Sequence, residues 1–344
     1  MATPTLEDIA KAVGVSASTV SRALSGKGQI SSALVEQIIA AAEALGYPLD
    51  RYQTSHNQSR LIGVIFPNVS SPFYSLLIEA VEKTASQHGF TVLLCNSDYS
   101  LDEELKCLKI LIEKQVDGIL ISPVDMYSSA PATVLNPSIP AVQVDRHNVH
   151  LKCDLVTTDS FHGAYEGVKL LIEQGYRRIA IISGPKTHST GKERLTGYIA
   201  ALREAGISLS DEYMQIADFR QEDGYRSTLK LLNLNPSPEA LFVTNVDMTI
   251  GALRALHEKG IHIPDDIGII GFDEFEFASI LVPPLTTIAQ PIEMLGLTAV
   301  DLLVRRITNT VPSEPVTIKL APRLTTRQST RAHTSEETQG ELVK

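Results

Sequence analysis

Residues 5–26 read TLEDIAKAVGVSASTVSRALSG, and the spacing inside this run sets the organisation of everything before residue 60. Thr5-Leu6-Glu7-Asp8 has capping-box form, a hydroxyl to start a helix and a carboxylate three residues on. Leu6, Ile9, Ala10 and Val13 then recur at helical spacing, and Gly14 supplies the left-handed conformation that a tight turn needs. Ser16 can cap a second short helix over 17–24, which turns Val20 and Leu24 inward and leaves Ala17, Ser18, Ser21 and Arg22 outside. A third helix is expected from Ser32, with Val35, Ile38, Ile39, Ala42 and Leu45 as one apolar stripe. Two short helices across a glycine turn, backed by a third, can carry the second helix into a major groove. A plain helical bundle has the same spacing, and charge does not separate the two readings. Lys11, Arg22, Lys27, Arg51 and Arg60 are balanced by Glu7, Asp8, Glu36, Glu43 and Asp50.

The net charge of −10 therefore lies beyond residue 60, which argues against a second nucleic-acid surface there. At 344 residues the chain exceeds what one hydrophobic core supports, so two or three globular units are expected. Cys95, Cys107 and Cys153 are too few and too scattered for a disulfide framework or a metal site. No signal peptide is read ahead of the first helix and no apolar run approaches bilayer length, so a cytoplasmic protein without membrane contact is expected.

Beyond residue 60, apolar strands alternate with amphipathic helices. LIGVIFP (61–67), TVLLCNS (91–97), GILISP (118–123) and PAVQVD (140–145) form a first series. RRIAIISG (177–184), LFVTN (241–245) and IGIIGFD (267–273) belong to a second, with helices at 161–174, 192–205, 223–232 and 247–259. TTIAQP, a helix over 292–308 and VTIKLAP follow, and are expected to return to the first lobe. Continuous Val/Ile/Leu strands separated by crossover helices imply parallel sheets buried on both faces. The fold class is thus an all-α helix-turn-helix head joined to an α/β core of two doubly wound parallel-sheet lobes. The expected boundaries are a head at 1–47, a linker at 48–60 and a core at 61–328. Within the core, lobe 1 is 61–159 with 290–322 and lobe 2 is 160–289, while a polar tail at 329–344 is expected to be disordered.

Ligands in this architecture sit at the carboxyl ends of strands. Phe73, Tyr74, Asp145, Arg146, Asp159, Arg194, Phe219, Asn245, Asp273 and Gln290 all fall just past such ends. Aromatic faces stack on the C–H side of a sugar, Asp and Asn meet its hydroxyls, and Arg forks across two oxygens. Singly, a strand-closing Asp is often only a helix cap; the set gains weight because its members share one edge.

Two other patterns are weighed against this. Gly184-Pro-Lys-Thr-His-Ser-Thr-Gly191-Lys192-Glu193 imitates a phosphate loop, yet it spaces its glycines by six residues and offers Glu193 where a magnesium-binding hydroxyl is needed. His147, His150 and His162 fit no common metal spacing, so neither a metal nor a cofactor is expected. An enzyme working through Asp145, Asp159 and Asp273 stays open as an alternative, without a nucleophile elbow or dinucleotide fingerprint to accompany it.

The opening run, followed by VEQIIAAAEALGY (35–47), resembles the lactose/galactose repressor family of bacterial transcription regulators almost position for position. Further on, NVSSPFY, VDR, GKERLTGY, ADF, LFVTN, GFDEFEFAS, PPLTTIAQP and PRLTTRQS are similar to that family's running motifs, its ribose-type members above all. The resemblance implies a periplasmic sugar-binding-protein fold used as a sensor. It implies base contacts from Ala17, Ser18 and Arg22, phosphate contacts from Thr5, Ser16, Thr19, Ser21 and Ser31, and an anchoring Tyr47. For the ligand it implies Ser71, Phe73, Tyr74, Asp145, Arg146, Arg194, Phe219, Asn245, Asp273 and Gln290. Arg146 stands where purine sensors carry an aromatic, which favours a neutral sugar; a purine- or sugar-phosphate-responsive regulator of the same fold is the alternative. Ser71 replaces the Asn of ribose binders, Val246 interrupts Thr-Asn-Asp, and Ser160 follows Asp159 where Asn is commoner.

The linker departs furthest. PLDRYQTSHNQSR (48–60) is about two residues short of the family's length and puts His56 where a wedging leucine is expected. Leu49, Tyr52 or Leu61 are the candidate substitutes. The function expected from the resemblance is a sugar-responsive repressor, a homodimer on a near-palindromic operator, located with the bacterial nucleoid.

Overall fold

The computed structural model describes residues 4–24, 30–47, 59–310 and 314–331, and divides the chain into two compact units at Arg60–Leu61.

In the first unit, helices α1 (Leu6–Val13), α2 (Ala17–Leu24) and α3 (Ser32–Ala44) enclose a small core of Ile9, Val20, Leu24, Ile38 and Ala42. Burying each of the larger aliphatic side chains contributes about 1.5–3 kcal/mol, which is what holds three such short helices together. The start of α1 is fixed as expected: the Asp8 carboxylate accepts from the Thr5 backbone N–H at 2.8 Å and from its hydroxyl at 2.7 Å. Gly14 adopts φ +75° and donates its N–H to Ala10, turning the chain toward α2. One expected core residue is misplaced. Leu45 is exposed, because α3 stops at Ala44 and Gly46 (φ +66°) reverses the chain. Gly46 then donates to Glu43 and Tyr47 to Ala42, so that Tyr47 rather than Leu45 leans on the core.

The second unit holds two six-stranded sheets. β1 (Leu61–Phe66), β2 (Thr91–Asn96), β3 (Gly118–Ile121), β4 (Ala141–Val144), β5 (Asp154–Thr158) and β11 (Thr317–Leu320) form one, in the order β11-β5-β4-β3-β1-β2, all parallel. β6 (Ile179–Ser183), β7 (Met214–Ile216), β8 (Ala240–Val243), β9 (Gly268–Phe272), β10 (Thr286–Ala289) and β12 (Arg323–Thr325) form the other, in the order β12-β10-β9-β8-β6-β7. Only β12 runs antiparallel to its neighbour. Strands β3, β4, β6, β8 and β9 are buried along their whole length, as helices on both faces require. Sequence gives no clear signal for three strands, β5, β7 and β12. The return to the first sheet also comes later than TTIAQP suggests: β10 stays in the second sheet beside β9, the helix Ile292–Ile307 then packs on the first sheet, and β11 pairs with β5.

The tail expectation fails at its start. Ser329 and Thr330 are buried: the Ser329 hydroxyl donates to Ile269 O and accepts the Thr286 N–H, both at 2.7 Å. The Arg331 N–H reaches the Tyr176 hydroxyl. This stretch stitches β9 and β10 together, and residues 332–344 lie outside those described. So do Pro48, Leu49, Tyr52 and His56 of the linker. Leu61, the remaining candidate wedge, is committed to β1 and packs beneath it.

Candidate ligand cleft and helix-turn-helix head

Strand ends position the cleft. Asp145 and Arg146 follow β4, Phe219 precedes the Gln221–Leu232 helix, Asn245 caps the Val246–Glu258 helix after β8, Asp273 follows β9 and Gln290 follows β10. Ser71, Phe73 and Tyr74 open the Pro72–Gln87 helix, and Arg194 lies in the first turns of the Ser189–Glu204 helix. All ten residues that the family resemblance implies for the ligand line a single cleft. Tyr99 and Thr190 line it too, and neither is among the residues that sequence singles out.

Three of the ten expected residues hold left-handed backbones without being glycine: Asp145 at φ +66°, Phe219 at +60° and Asp273 at +78°. Such conformations cost energy and persist where surrounding structure enforces them, which is common at binding sites. Here they turn two carboxylates and one ring out of strand direction and into the cleft.

The polar groups are tied in pairs. The Tyr74 hydroxyl donates to Asp145 at 2.9 Å and lies 3.0 Å from Ser122 Oγ, while Asp145 also meets Arg146 Nε at 3.6 Å. Gln290 Nε2 donates to Asp273 at 2.7 Å, and Arg194 Nη2 stands 4.0 Å from the same carboxylate. Arg194 is fixed further by Nη1 on Thr244 O at 2.6 Å, Nε on Ser160 Oγ at 3.3 Å, and stacking 3.7 Å from the Phe272 ring centre. Burial raises the Asp273 carboxyl above its usual range, and the neighbouring Arg194 and Gln290 oppose that rise. Asn245 accepts from Met248 N and donates to Phe219 O, so one side chain holds a helix start and the ring-bearing turn.

Ser71, at the position where ribose binders carry Asn, has a partner of its own. It donates across the lobes to Asp247 at 2.6 Å, a buried carboxyl whose pKa is raised by desolvation. Asp159, by contrast, is a cap: it accepts the His162 N–H and does not line the cleft. Arg146 Nε and Nη1 and Gln290 Oε1 are buried with no hydrogen-bond partner among the described residues. A buried donor or acceptor left so costs about 1–3 kcal/mol, and Arg146 and Gln290 both line the cleft.

The false phosphate loop has a structural use. Gly184 follows β6 directly beneath the Phe219 ring, where any Cβ would collide with it. Sequence offers no signal for this contact.

In the head, Ser16 precedes α2, accepts the Thr19 N–H at 3.1 Å, and lies 2.8 Å from both the Ser18 and Thr19 hydroxyls. Ser18 and Arg22 are exposed on α2, Ala17, Thr19 and Ser21 half-buried beside them, and Thr5 and Ser31 are exposed at the starts of α1 and α3. One face of α2 therefore points away from the core, and it is the face that carries Ser18 and Arg22.

Comparison with known proteins agrees with both units. Residues 5–48 match the family described as bacterial regulatory proteins, lacI family, and residues 168–330 match the periplasmic binding protein-like domain. The ribose operon repressor of Escherichia coli (strain K12) is 34% identical over 307 residues, 88% of this chain and 93% of that protein. The HTH-type transcriptional repressor PurR of Pasteurella multocida (strain Pm70) is 34% identical over 331 residues, covering 95% of this chain and 99% of that one. Among solved structures, the transcriptional regulator CelR–cellobiose complex superposes with a TM-score of 0.73 at 31% identity, spanning 95% of this chain and 99% of its own. With relatives this similar over nearly their full length, and the same head and two-sheet core, the chain belongs to the lacI family of bacterial regulatory proteins.

Proposed function

We propose that the protein is a transcription repressor whose hold on a near-palindromic operator is set by a small neutral sugar in the cleft. The observation that carries this reading is the convergence of ten polar and aromatic residues from both lobes on one cavity, with Arg146 and Gln290 atoms left to be satisfied there. Two guanidinium groups are offset by Asp145 and Asp273, so the cleft presents little net charge and suits hydroxyls better than phosphate. Thr5, Ser16, Thr19, Ser21 and Ser31 would meet phosphates, Ala17, Ser18 and Arg22 bases, and Tyr47 would brace the head. Arginine matches guanine O6 and N7, and Ala17 and Ser18 have little reach, so Arg22 dominates the direct readout.

Two copies of the chain would present two heads, and exposed apolar side chains support such pairing. Phe277, Ile280 and Val282 stand out from one lobe, Leu76, Met294 and Leu297 from the other. A ligand held by both lobes favours their closed arrangement and can shift DNA affinity only through that preference. The relatives are transcriptional repressors, so the cleft is read as a sensor and not as a catalytic site. Among the described residues no helix is long and apolar enough to cross a membrane; a cytoplasmic location follows from work on DNA.

The test is thermal unfolding of the full chain against pentoses, hexoses, sugar phosphates and purines. A ligand at a hundred times its dissociation constant stabilises by about 2.7 kcal/mol. A shift with a neutral sugar, lost in Asp273→Ala, is expected; a shift confined to purines or phosphorylated sugars would overturn the sugar reading.

A further inference from the structure

Tyr99 belongs to a turn with an uncommon backbone. Asp98 (φ +45°) and Tyr99 (φ +57°) are consecutive left-handed residues after β2, neither of them glycine. Facing them across the cleft is Phe219, also left-handed at φ +60°, followed by Arg220. The two pairs meet residue for residue. Tyr99 stacks on Phe219 with ring centres 6.1 Å apart and planes 21° from parallel, and Arg220 Nη2 lies 3.2 Å from Asp98 Oδ1. The Arg220 guanidinium also stands 5.9 Å from the Tyr99 ring centre, and Arg146 approaches both rings from within, at 5.2 and 4.8 Å.

The ion pair is 54% and 65% exposed, so it marks where the cleft meets solvent and contributes little by itself. The stacked rings are the substance of the contact, since offset aromatic pairs at this separation attract beyond their buried area. Behind them the space left among the lining side chains is narrow.

The geometry points to Tyr99 as a size-determining residue: the Asp98–Tyr99 turn clasps Phe219–Arg220 at the solvent edge of the cleft, so the effector is a single ring system and a ligand extended by a second ring is shut out. The sugar reading supplies the class of ring, on which this inference rests; the size limit applies whichever ring it is.

Matched pairs separate the two questions: D-xylose with xylobiose, D-glucose with cellobiose, and adenine with adenosine, each titrated calorimetrically into the full chain. The wild type is expected to prefer the smaller member of the responding pair at least tenfold. Tyr99→Ala should cut that preference at least tenfold, and Tyr99→Phe, which keeps the ring, should retain it. Response in the adenine pair alone would remove the sugar reading while still measuring the size limit. Equal affinity for both members in the wild type, or an undiminished preference in Tyr99→Ala, would overturn the inference. The chain holds no tryptophan, so Tyr99→Trp adds one reporter that needs no ligand. Blue-shifted emission, shielded from acrylamide until Phe219→Ala is added, is expected; solvent-like emission indifferent to Phe219→Ala would refute the clasp.

Discussion

Gly184→Ala should damage the cleft through a single methyl group. A Cβ at this position would lie 1.9 Å from Phe219 Cζ and 2.3 and 2.4 Å from its Cε atoms, where ordinary contact begins near 3.4 Å. The ring tip must therefore retreat by roughly 1.5 Å, the difference between the ordinary contact and this one. It has little freedom to do so. The Phe219 carbonyl is bonded by Asn245 Nδ2 at 3.3 Å, one ring face stacks on Tyr99, and His188 meets it edge-on at 5.5 Å. Overpacking of this kind costs about 1–3 kcal/mol, and the stiffer unfolded chain returns about 0.4–1 kcal/mol. The net loss is about 1–2 kcal/mol, a melting point lower by about 1–3 °C in a chain of this size. Displacing the stacking wall should also remove about 0.5–1.5 kcal/mol of ring contact with the effector, up to about tenfold in affinity.

Calorimetric melting and effector titration measure the two effects separately. Gly206→Ala is the control, because Gly206 sits at φ +67° and a methyl group there would find nothing within 4 Å. It should lose stability through backbone strain alone, about 1–2 kcal/mol, and keep full effector affinity. If Gly184→Ala binds effector as tightly as Gly206→Ala does, Phe219 is not a wall of the site and the reasoning fails.

Three further outcomes are expected. Arg22→Ala should cost roughly 1–3 kcal/mol on the true operator and much less on random DNA; equal losses on both in a binding titration would assign Arg22 to phosphate. Arg194→Ala should destabilise by about 3–5 kcal/mol, because Asp273 stays buried without its cation, and it should abolish the effector's thermal shift; a wild-type melt with an intact shift would contradict both roles. Glu104 is fully buried, with one oxygen on Val124 N at 2.7 Å and the other without a partner among the described residues, and burial pushes its carboxyl from 4.5 up to about 7. The folded state therefore holds its proton more tightly than the unfolded chain, so stability is full below pH 4.5 and is lost as the pH rises through about 7. The loss is on the order of 3 kcal/mol. Urea melts at pH 5 and pH 8 should show it in the wild type and not in Glu104→Gln; equal pH dependence in the two would place the effect elsewhere.

What is legible in the sequence, and what is not, divides along the physical character of each segment. β1, β6, β8 and β9 are runs of Val, Ile and Leu buried on both sides, and such runs announce themselves. β5 is also largely buried but reads DLVTT, because Asp154 and Thr157 find partners outside the strand. Asp154 grips Arg306 at 2.6 and 2.7 Å and accepts the Val316 N–H, and the Thr157 hydroxyl donates to Asp145 O. No local pattern encodes a satisfaction that arrives from 150 residues downstream. The same holds for Ser329, polar in composition and buried in fact, because β9 and β10 supply its hydrogen bonds. The cleft is legible for a different reason. A strand that ends in Asp, Asn or Gln declares both its direction and its edge, so nine cleft residues can be placed together from their order in the chain; Asp159, placed with them, is a helix cap, and Ser71 comes only from the family resemblance. Tyr99 follows a strand too, β2, but at the third position past Asn96 and in a left-handed turn. Its ring reaches the cleft only because that strained backbone turns it there, and neither hydrophobic period nor residue type records the sign of φ. Gly184 stands out in the sequence only as part of an imitation phosphate loop. Its meaning lies in the absence of a side chain beneath Phe219, which only packing reveals.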